Sequence, residues 1–150
     1  MTTFAGIVAF EVRFYLRRIS TWVYFGAFFG LAFMLMCAYG GAWEGVDLGS
    51  SRALANSPAR IVLMIAVLGM LLAPVTAAVV GNAVYRDFES GIHPLFFTSG
   101  VRKPTYLAAR YAGGLVVNLV LALGIPLGIA AASLMPFMAH DRIGPFRPAA

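Results

Sequence analysis

Charged residues are scarce in this sequence, where they make up 11% of the 150 residues, against about 25% in soluble domains. Apolar residues account for 61%, and the mean hydropathy is +0.84. A chain with so little polar surface cannot cover a soluble globule, so lipid is its natural solvent. The net charge of +5 does not indicate nucleic-acid binding, because the basic residues flank long apolar runs, as in membrane proteins.

Residues that carry out chemistry are also few. The single cysteine, Cys37, lies in an apolar run and offers neither a disulfide framework nor a metal cluster. His93 and His140 are the only histidines, so a His-Glu-x-x-His zinc site is impossible. The only lysine, Lys103, precedes Pro104 and cannot belong to a phosphate-binding loop. With the acids scattered along the chain, we expect no catalytic residue, no metal and no cofactor, and the chain is not expected to be an enzyme.

Three long stretches contain no charged residue at all, namely 19–43, 61–85 and 111–139. A membrane-spanning helix needs about 20 mostly apolar residues, and each stretch is long enough. The first is too long for the apolar region of a signal peptide, which has about 7–15 residues. The sequence therefore predicts an all-α membrane protein: an amphipathic interfacial helix over 4–19, then spans over 21–40, 61–85 and 110–138.

Lysine and arginine are distributed unevenly between the connecting segments. Seven lie in the amino-terminal segment and between the second and third spans, and four lie in the first connecting segment and the tail. By the positive-inside rule, the amino terminus and the 86–107 loop face the cytoplasm. The 44–60 segment and the tail, 139–150, are then outside.

The predicted interfacial helix has an apolar stripe with residues at spacings of three and four. The stripe consists of Phe4, Val8, Val12, Tyr15, Leu16 and Ile19. Arg13 and Arg17 lie on roughly the opposite face, where arginine can meet anionic lipid. Phe10 and Phe14 interrupt that face, which fits either burial against a partner or a deep position among the headgroups.

The loop over 86–107 is longer than a simple connection requires. Gly91 and Pro94 interrupt it, and a basic turn, Arg102-Lys103-Pro104, ends it. Between them lies an apolar patch formed by Leu95, Phe96 and Phe97. The patch is either a docking surface for a cytoplasmic partner or a segment that dips into the membrane interface, and the residues alone leave both readings open.

Small residues in the spans indicate where helices can approach each other closely. The second span predicts such a face at four-residue intervals, with Gly69, Ala73, Ala77 and Gly81. The glycine pairs 26–30 and 124–128 are weaker signals of the same kind. Asn118 in the third span either packs against a neighbouring helix or lines a substrate route. Ser57 and Pro58 predict the start of the second span, as helix cap and first helical residue.

This order of elements resembles the membrane-spanning permease subunits of type-2, exporter-class ABC transporters. The likeness covers nearly the whole chain and is carried above all by Arg86-Asp87-Phe88-Glu89-Ser90-Gly91. The subgroup fused to a zinc aminopeptidase-like domain is the most similar, through 17–25, Phe96-Phe97-Thr98 and Gly144-Pro145-Phe146. That peptidase domain is not present in these 150 residues.

The resemblance implies a function and a set of contacts. In the family, the cytoplasmic loop carries a coupling helix that touches a separate ATP-binding subunit. The matching residues are Arg86, Asp87, Phe88, Glu89, Gly91, Leu95, Phe96, Phe97 and Thr98. Six spans per subunit are usual in the family, so we expect an amino-terminal half of a bacterial inner (plasma) membrane permease. Further spans would come from a second permease chain or a carboxyl-terminal half. The alternative is a small accessory or structural membrane protein that does not transport.

Overall fold

The computed structural model describes residues 3–43, 54–89, 91 and 102–136, with the backbone alone at 83, 84 and 86–88. These residues form four α-helices and contain no β-strand. We number the helices α1 (Thr3–Leu16), α2 (Ile19–Tyr39), α3 (Pro58–Glu89) and α4 (Lys103–Ser133). The predicted fold class is confirmed, with one amino-terminal helix followed by three long apolar helices.

Each of the three later helices contains a segment long and apolar enough to cross a membrane. These segments are Ile19–Tyr39, Pro58–Asn82 and Lys103–Ser133. They leave large side chains uncovered, such as Ile19 at 82% exposure and Met70 at 78%. Exposed apolar area on this scale is unfavourable in water and favourable against acyl chains. The chain is therefore a multi-pass membrane protein.

The helix ends differ in places from the predicted ones. Only Arg17 and Arg18 separate α1 from α2, since Leu16 ends the first helix and Ile19 begins the second. α3 continues through Glu89, and α4 begins at Lys103. Residues 86–89 and 103–107 of the predicted 86–107 loop are thus helical, because helical hydrogen bonding continues past the apolar segments that define the spans.

The start of α3 follows the Ser57-Pro58 pair, as predicted. Pro58 is the first helical residue, where its missing N–H is not needed. The Ser57 carbonyl accepts a hydrogen bond from the Ile61 N–H at 3.0 Å. The Ser57 hydroxyl, however, is buried and has no hydrogen-bond partner among the described residues, so the helix begins without the side-chain cap.

The chain divides into two compact units, with boundaries inside α2, α3 and α4. The first unit comprises Met1–Tyr24 and Leu71–Leu121. Part of its core is a cluster of Tyr15 of α1 and Val117 of α4, against which Phe14 and Val79 pack. This unit contains the charged and polar side chains that are considered below.

The second unit comprises Phe25–Met70 and Ala122–Ala150. Glycines of α4 allow close packing there: a Cβ added at Gly124 would lie 3.0 Å from the Phe25 carbonyl oxygen. A Cβ added at Gly128 would overlap the Phe29 carbonyl oxygen and lie 2.9 Å from the Ala32 Cβ. The backbones of α2 and α4 are therefore in direct contact at these glycines.

Candidate functional site

A buried ion pair joins α1 to α4 in the first unit. The Arg110 Nη1 donates a hydrogen bond to Glu11 Oε1. Glu11 is 0% exposed and Arg110 is 4% exposed, so the pair is shielded from its surroundings. The two residues are 99 positions apart in the sequence. Because an isolated charge at such a site would be very costly, each side chain requires the other.

Tyr106 orients the arginine of this pair. It lies one helical turn before Arg110 in α4, and its hydroxyl oxygen accepts a hydrogen bond from the Arg110 Nε at 3.1 Å. The centre of its ring is 5.4 Å from the Arg110 Cζ, within the range of a cation–π contact. Two different atoms of the guanidinium are thus engaged, one by the carboxylate and one by the phenol.

Gly113 makes room for Glu11 against α4. A Cβ added at Gly113 would lie 2.6 Å from the Glu11 Cβ and 3.6 Å from the Val8 carbonyl oxygen. Non-bonded carbon atoms do not approach each other that closely, so α1 can take this position only because residue 113 is glycine. The close approach buries the carboxylate beside the guanidinium one turn away.

A second contact joins α1 to α3. The Tyr15 hydroxyl donates a hydrogen bond to the Val79 carbonyl oxygen at 3.0 Å. The Tyr15 carbonyl oxygen in turn accepts a hydrogen bond from the Thr21 hydroxyl at 2.7 Å, which fixes the turn into α2. Val79 lies ten residues before the end of α3, and Arg110 lies seven residues after the start of α4. α1 therefore contacts the helices on both sides of the 90–101 connection.

This arrangement is suited to transmitting movement. The carboxylate of Glu11 is paired with the guanidinium of Arg110, and the hydroxyls of Tyr15 and Tyr106 take part in hydrogen bonds. Among the described residues, no group of three or more His, Cys, Asp or Glu could hold a metal ion. The cluster acts as a link: a displacement of α3 or α4 at these positions must also move α1 or break the contacts.

The residues predicted to touch an ATP-binding subunit are only partly described. Arg86, Asp87, Phe88 and Glu89 form the last turn of α3, and the Glu89 side chain is exposed. Gly91 is exposed and has a φ of 64°, a left-handed conformation that ends the helix and favours glycine. Leu95, Phe96, Phe97 and Thr98 lie outside the described residues, so their predicted role stays a prediction.

The predicted small-residue face of α3 is exposed along its length. Gly69, Ala73, Ala77 and Gly81 are all exposed. A Cβ added at Gly69 or Gly81 would meet no atom within 4 Å. The described part of the chain does not use this face for its own close packing, and the face stays a prediction for a contact with another helix.

The predicted apolar stripe of α1 is divided between two environments. Tyr15 is buried in the first unit and Val8 is partly buried, whereas Phe4 and Ile19 are exposed. The most deeply buried residue of the helix, Glu11, is not apolar at all. The stripe is therefore not a single lipid-facing surface, because the ion pair and Tyr15 draw part of it against α3 and α4.

Sequence reasoning did not find Glu11, Arg110, Tyr106 or Gly113. A signal existed in the position of Glu11: Ile7, Val8 and Tyr15 are three or four residues away, so the acid lies on an apolar face. An acid in such a place needs a partner. Periodicity within one helix cannot identify a partner on another helix 99 residues away.

Asn118 is a further polar residue inside the first unit. It is buried, and its Oδ1 has no hydrogen-bond partner among the described residues. A buried side-chain oxygen without a hydrogen bond is uncommon in native proteins. The two predicted roles, packing against a neighbouring helix and lining a substrate route, both stay predictions.

We compared the chain with protein-family models, with curated proteins and with solved structures. No match was found in any of the three comparisons. The three long apolar helices identify the chain as a multi-pass membrane protein.

Proposed function

We propose that this chain is a membrane-spanning part of the permease of a type-2 ABC transporter. In this proposal a separate ATP-binding subunit contacts the 86–107 segment. The observation that carries the proposal is the Arg86-Asp87-Phe88-Glu89-Ser90-Gly91 sequence at the point where α3 ends. It follows the span in the order that is typical of the family, and the apolar patch formed by Leu95, Phe96 and Phe97 comes next.

The contacts of α1 support this proposal with a mechanical route. A subunit pressing on the 86–107 segment would displace the end of α3, the start of α4, or both. The Tyr15–Val79 hydrogen bond and the Glu11–Arg110 ion pair would carry that displacement to α1. A buried ion pair resists separation, because each buried charge would lose the opposite charge that compensates it. The three elements would therefore move together.

Additional spans are part of the proposal. Three helices cannot enclose a transport route, so the remaining helices come from a second permease chain or a second half of the subunit. The exposed face of Gly69, Ala73, Ala77 and Gly81 is a suitable place for such a helix, since small side chains permit close backbone approach. The proposed location is the bacterial inner (plasma) membrane.

The test is recovery of the ATP-binding subunit with the tagged chain from native membranes in a mild detergent. The expected partner carries a phosphate-binding loop, which mass spectrometry identifies from its peptides. Replacing Leu95, Phe96 and Phe97 together by alanine removes the apolar patch. We expect this variant to recover at least about tenfold less partner, since each lost apolar anchor weakens a docking contact by about 1 kcal/mol or more.

A matched control removes three apolar residues from the other connecting segment. Val46→Ala, Leu48→Ala and Leu54→Ala are combined in one variant, which should recover the partner as well as the wild type does. Equal recovery with both triple variants would reject the docking role of the patch. If no protein with a phosphate-binding loop is recovered at all, the accessory or structural function takes its place.

A further inference from the structure

Three arginines around the end of α1 line one groove. Arg13, Arg17 and Arg18 surround a space of about 270 Å³ together with Phe10 and Phe14. We call these five residues the arginine groove. Liquid water occupies about 30 Å³ per molecule, so the space is large enough for a phosphate group and its hydration.

The described acidic side chains do not balance the positive charge of the groove. Glu11 is the only acidic residue in the first 43 positions, and its carboxylate is buried and paired with Arg110. No acidic side chain belongs to the described lining of the groove. Arg13 and Arg17 form no ion pair within the described ranges. The groove therefore attracts an anion.

Aromatic contacts hold part of the groove in place. The Arg18 Cζ lies 4.4 Å from the centre of the Phe14 ring. Phe14 is packed edge-on against Tyr15 at 5.5 Å and stacked with Phe10 at 6.3 Å. Because Tyr15 belongs to the core of the first unit, this chain of contacts anchors the arginine. Less side-chain freedom then has to be lost when an anion binds.

The position of the groove in the chain matches the level of lipid headgroups. Arg17 and Arg18 immediately precede Ile19, the first residue of the membrane-spanning segment in α2. Trp22 lies one turn further on, is exposed, and donates its Nε1 hydrogen to the Leu16 carbonyl oxygen at 2.9 Å. Tryptophan is enriched at this depth of a membrane.

Phe10 distinguishes a lipid from a free anion. Its side chain is 59% exposed beside the arginines. A site for a soluble phosphate gains nothing from an exposed phenyl ring, whereas a phospholipid can place acyl carbon against it. We propose that the arginine groove binds an anionic phospholipid, with the phosphate between Arg13, Arg17 and Arg18 and the upper acyl chain against Phe10. This site does not depend on transport activity.

The competing explanation is that the arginines only stabilise the carboxyl end of α1, where positive charge is favourable. Lipid titrations followed by native mass spectrometry separate the two. The purified chain in detergent is titrated with phosphatidylglycerol and with phosphatidylcholine of the same acyl chains. The variant Arg13→Gln/Arg17→Gln leaves Arg18 and its contact with Phe14 intact.

The wild-type chain should bind phosphatidylglycerol at least about tenfold more tightly than phosphatidylcholine. The double variant should bind phosphatidylglycerol about 30-fold more weakly, since each basic residue at an anionic surface contributes about fivefold. Arg102→Gln/Lys103→Gln removes the same charge outside the groove and should weaken binding clearly less than the groove variant does. Circular dichroism should show equal helix content in all three proteins.

Three results would overturn the site. The first is equal binding of the two lipids by the wild-type chain. The second is an equal loss in the Arg102→Gln/Lys103→Gln variant, which would show a general response to charge. The third is displacement of phosphatidylglycerol by an equal concentration of inorganic phosphate, which would identify a site for the free anion.

Discussion

The packing of α1 depends on one residue, Glu11, and on the pairing of its carboxylate. It enters an apolar interior because Arg110, which Tyr106 orients, pairs with it there and Gly113 leaves space. A pair of this kind adds less net stability than its Coulomb attraction suggests, since both charges lose their hydration. Displacing α1 from this position would leave both charges unpaired, so the pair favours this placement of the helix.

At the residue scale we expect Glu11→Leu and Arg110→Met each to lower the free energy of unfolding by about 3–5 kcal/mol, because one buried charge remains unpaired. The double variant should be more stable than either single variant, since no unpaired charge remains. Reversible unfolding in detergent micelles measures all three. Arg102→Met, at an exposed position, is the control and should change the free energy by about 0.5 kcal/mol or less. Additive losses in the double variant would contradict the pairing.

Residue patterns predicted some of these details and not others. The start of α3 at Pro58 follows from proline chemistry that acts within one turn. Part of the predicted stripe of α1 packs against other helices instead of facing lipid, because Glu11 and Tyr15 bond to Arg110 and Val79. Those partners are far away in the sequence, so no local pattern could predict them. The helical state of 86–89 and 103–107 was missed because hydropathy marks where lipid ends, not where a helix ends.

At the scale of helices, two similar glycine pairs behave differently. Gly124 and Gly128 of α4 lie against the backbone of α2. Gly26 and Gly30 of α2 have no atom within 4 Å of an added Cβ. The spacing is the same in both pairs, so spacing alone cannot tell which pair is used. The difference arises from which face of each helix meets a neighbour in the second unit.

This contrast gives a matched prediction. Gly124→Ala/Gly128→Ala should destabilise the protein by about 1–3 kcal/mol. The methyl added at Gly128 overlaps the Phe29 carbonyl oxygen, and the methyl added at Gly124 lies 3.0 Å from the Phe25 carbonyl oxygen. Gly26→Ala/Gly30→Ala adds the same atoms to open space and should leave stability unchanged or raise it, given alanine's higher helix propensity. Thermal unfolding in detergent decides between them. Equal unfolding midpoints for the two double variants would show that α2 and α4 do not contact each other at Gly124 and Gly128.

At the scale of the whole molecule, the fold class could be predicted from the apolar composition and the uncharged stretches of the sequence. Three uncharged stretches became three long apolar helices, because a bilayer requires every backbone polar group to be bonded within its own helix. The orientation rests on basic residues in the connecting segments. Arg110 turns out to be buried and paired with Glu11. Without it, six basic residues still lie on the predicted cytoplasmic side against four on the other.

The most direct test of the membrane crossing by α3 and of the predicted orientation is the accessibility of the two connecting segments. In a Cys37→Ala background, Ser51→Cys and Ser99→Cys place one thiol in each segment. In intact cells, a membrane-impermeant maleimide should label the protein with Ser51→Cys and should label the one with Ser99→Cys only after permeabilisation. Labelling of both thiols in intact cells, or of Ser99→Cys alone, would contradict the account.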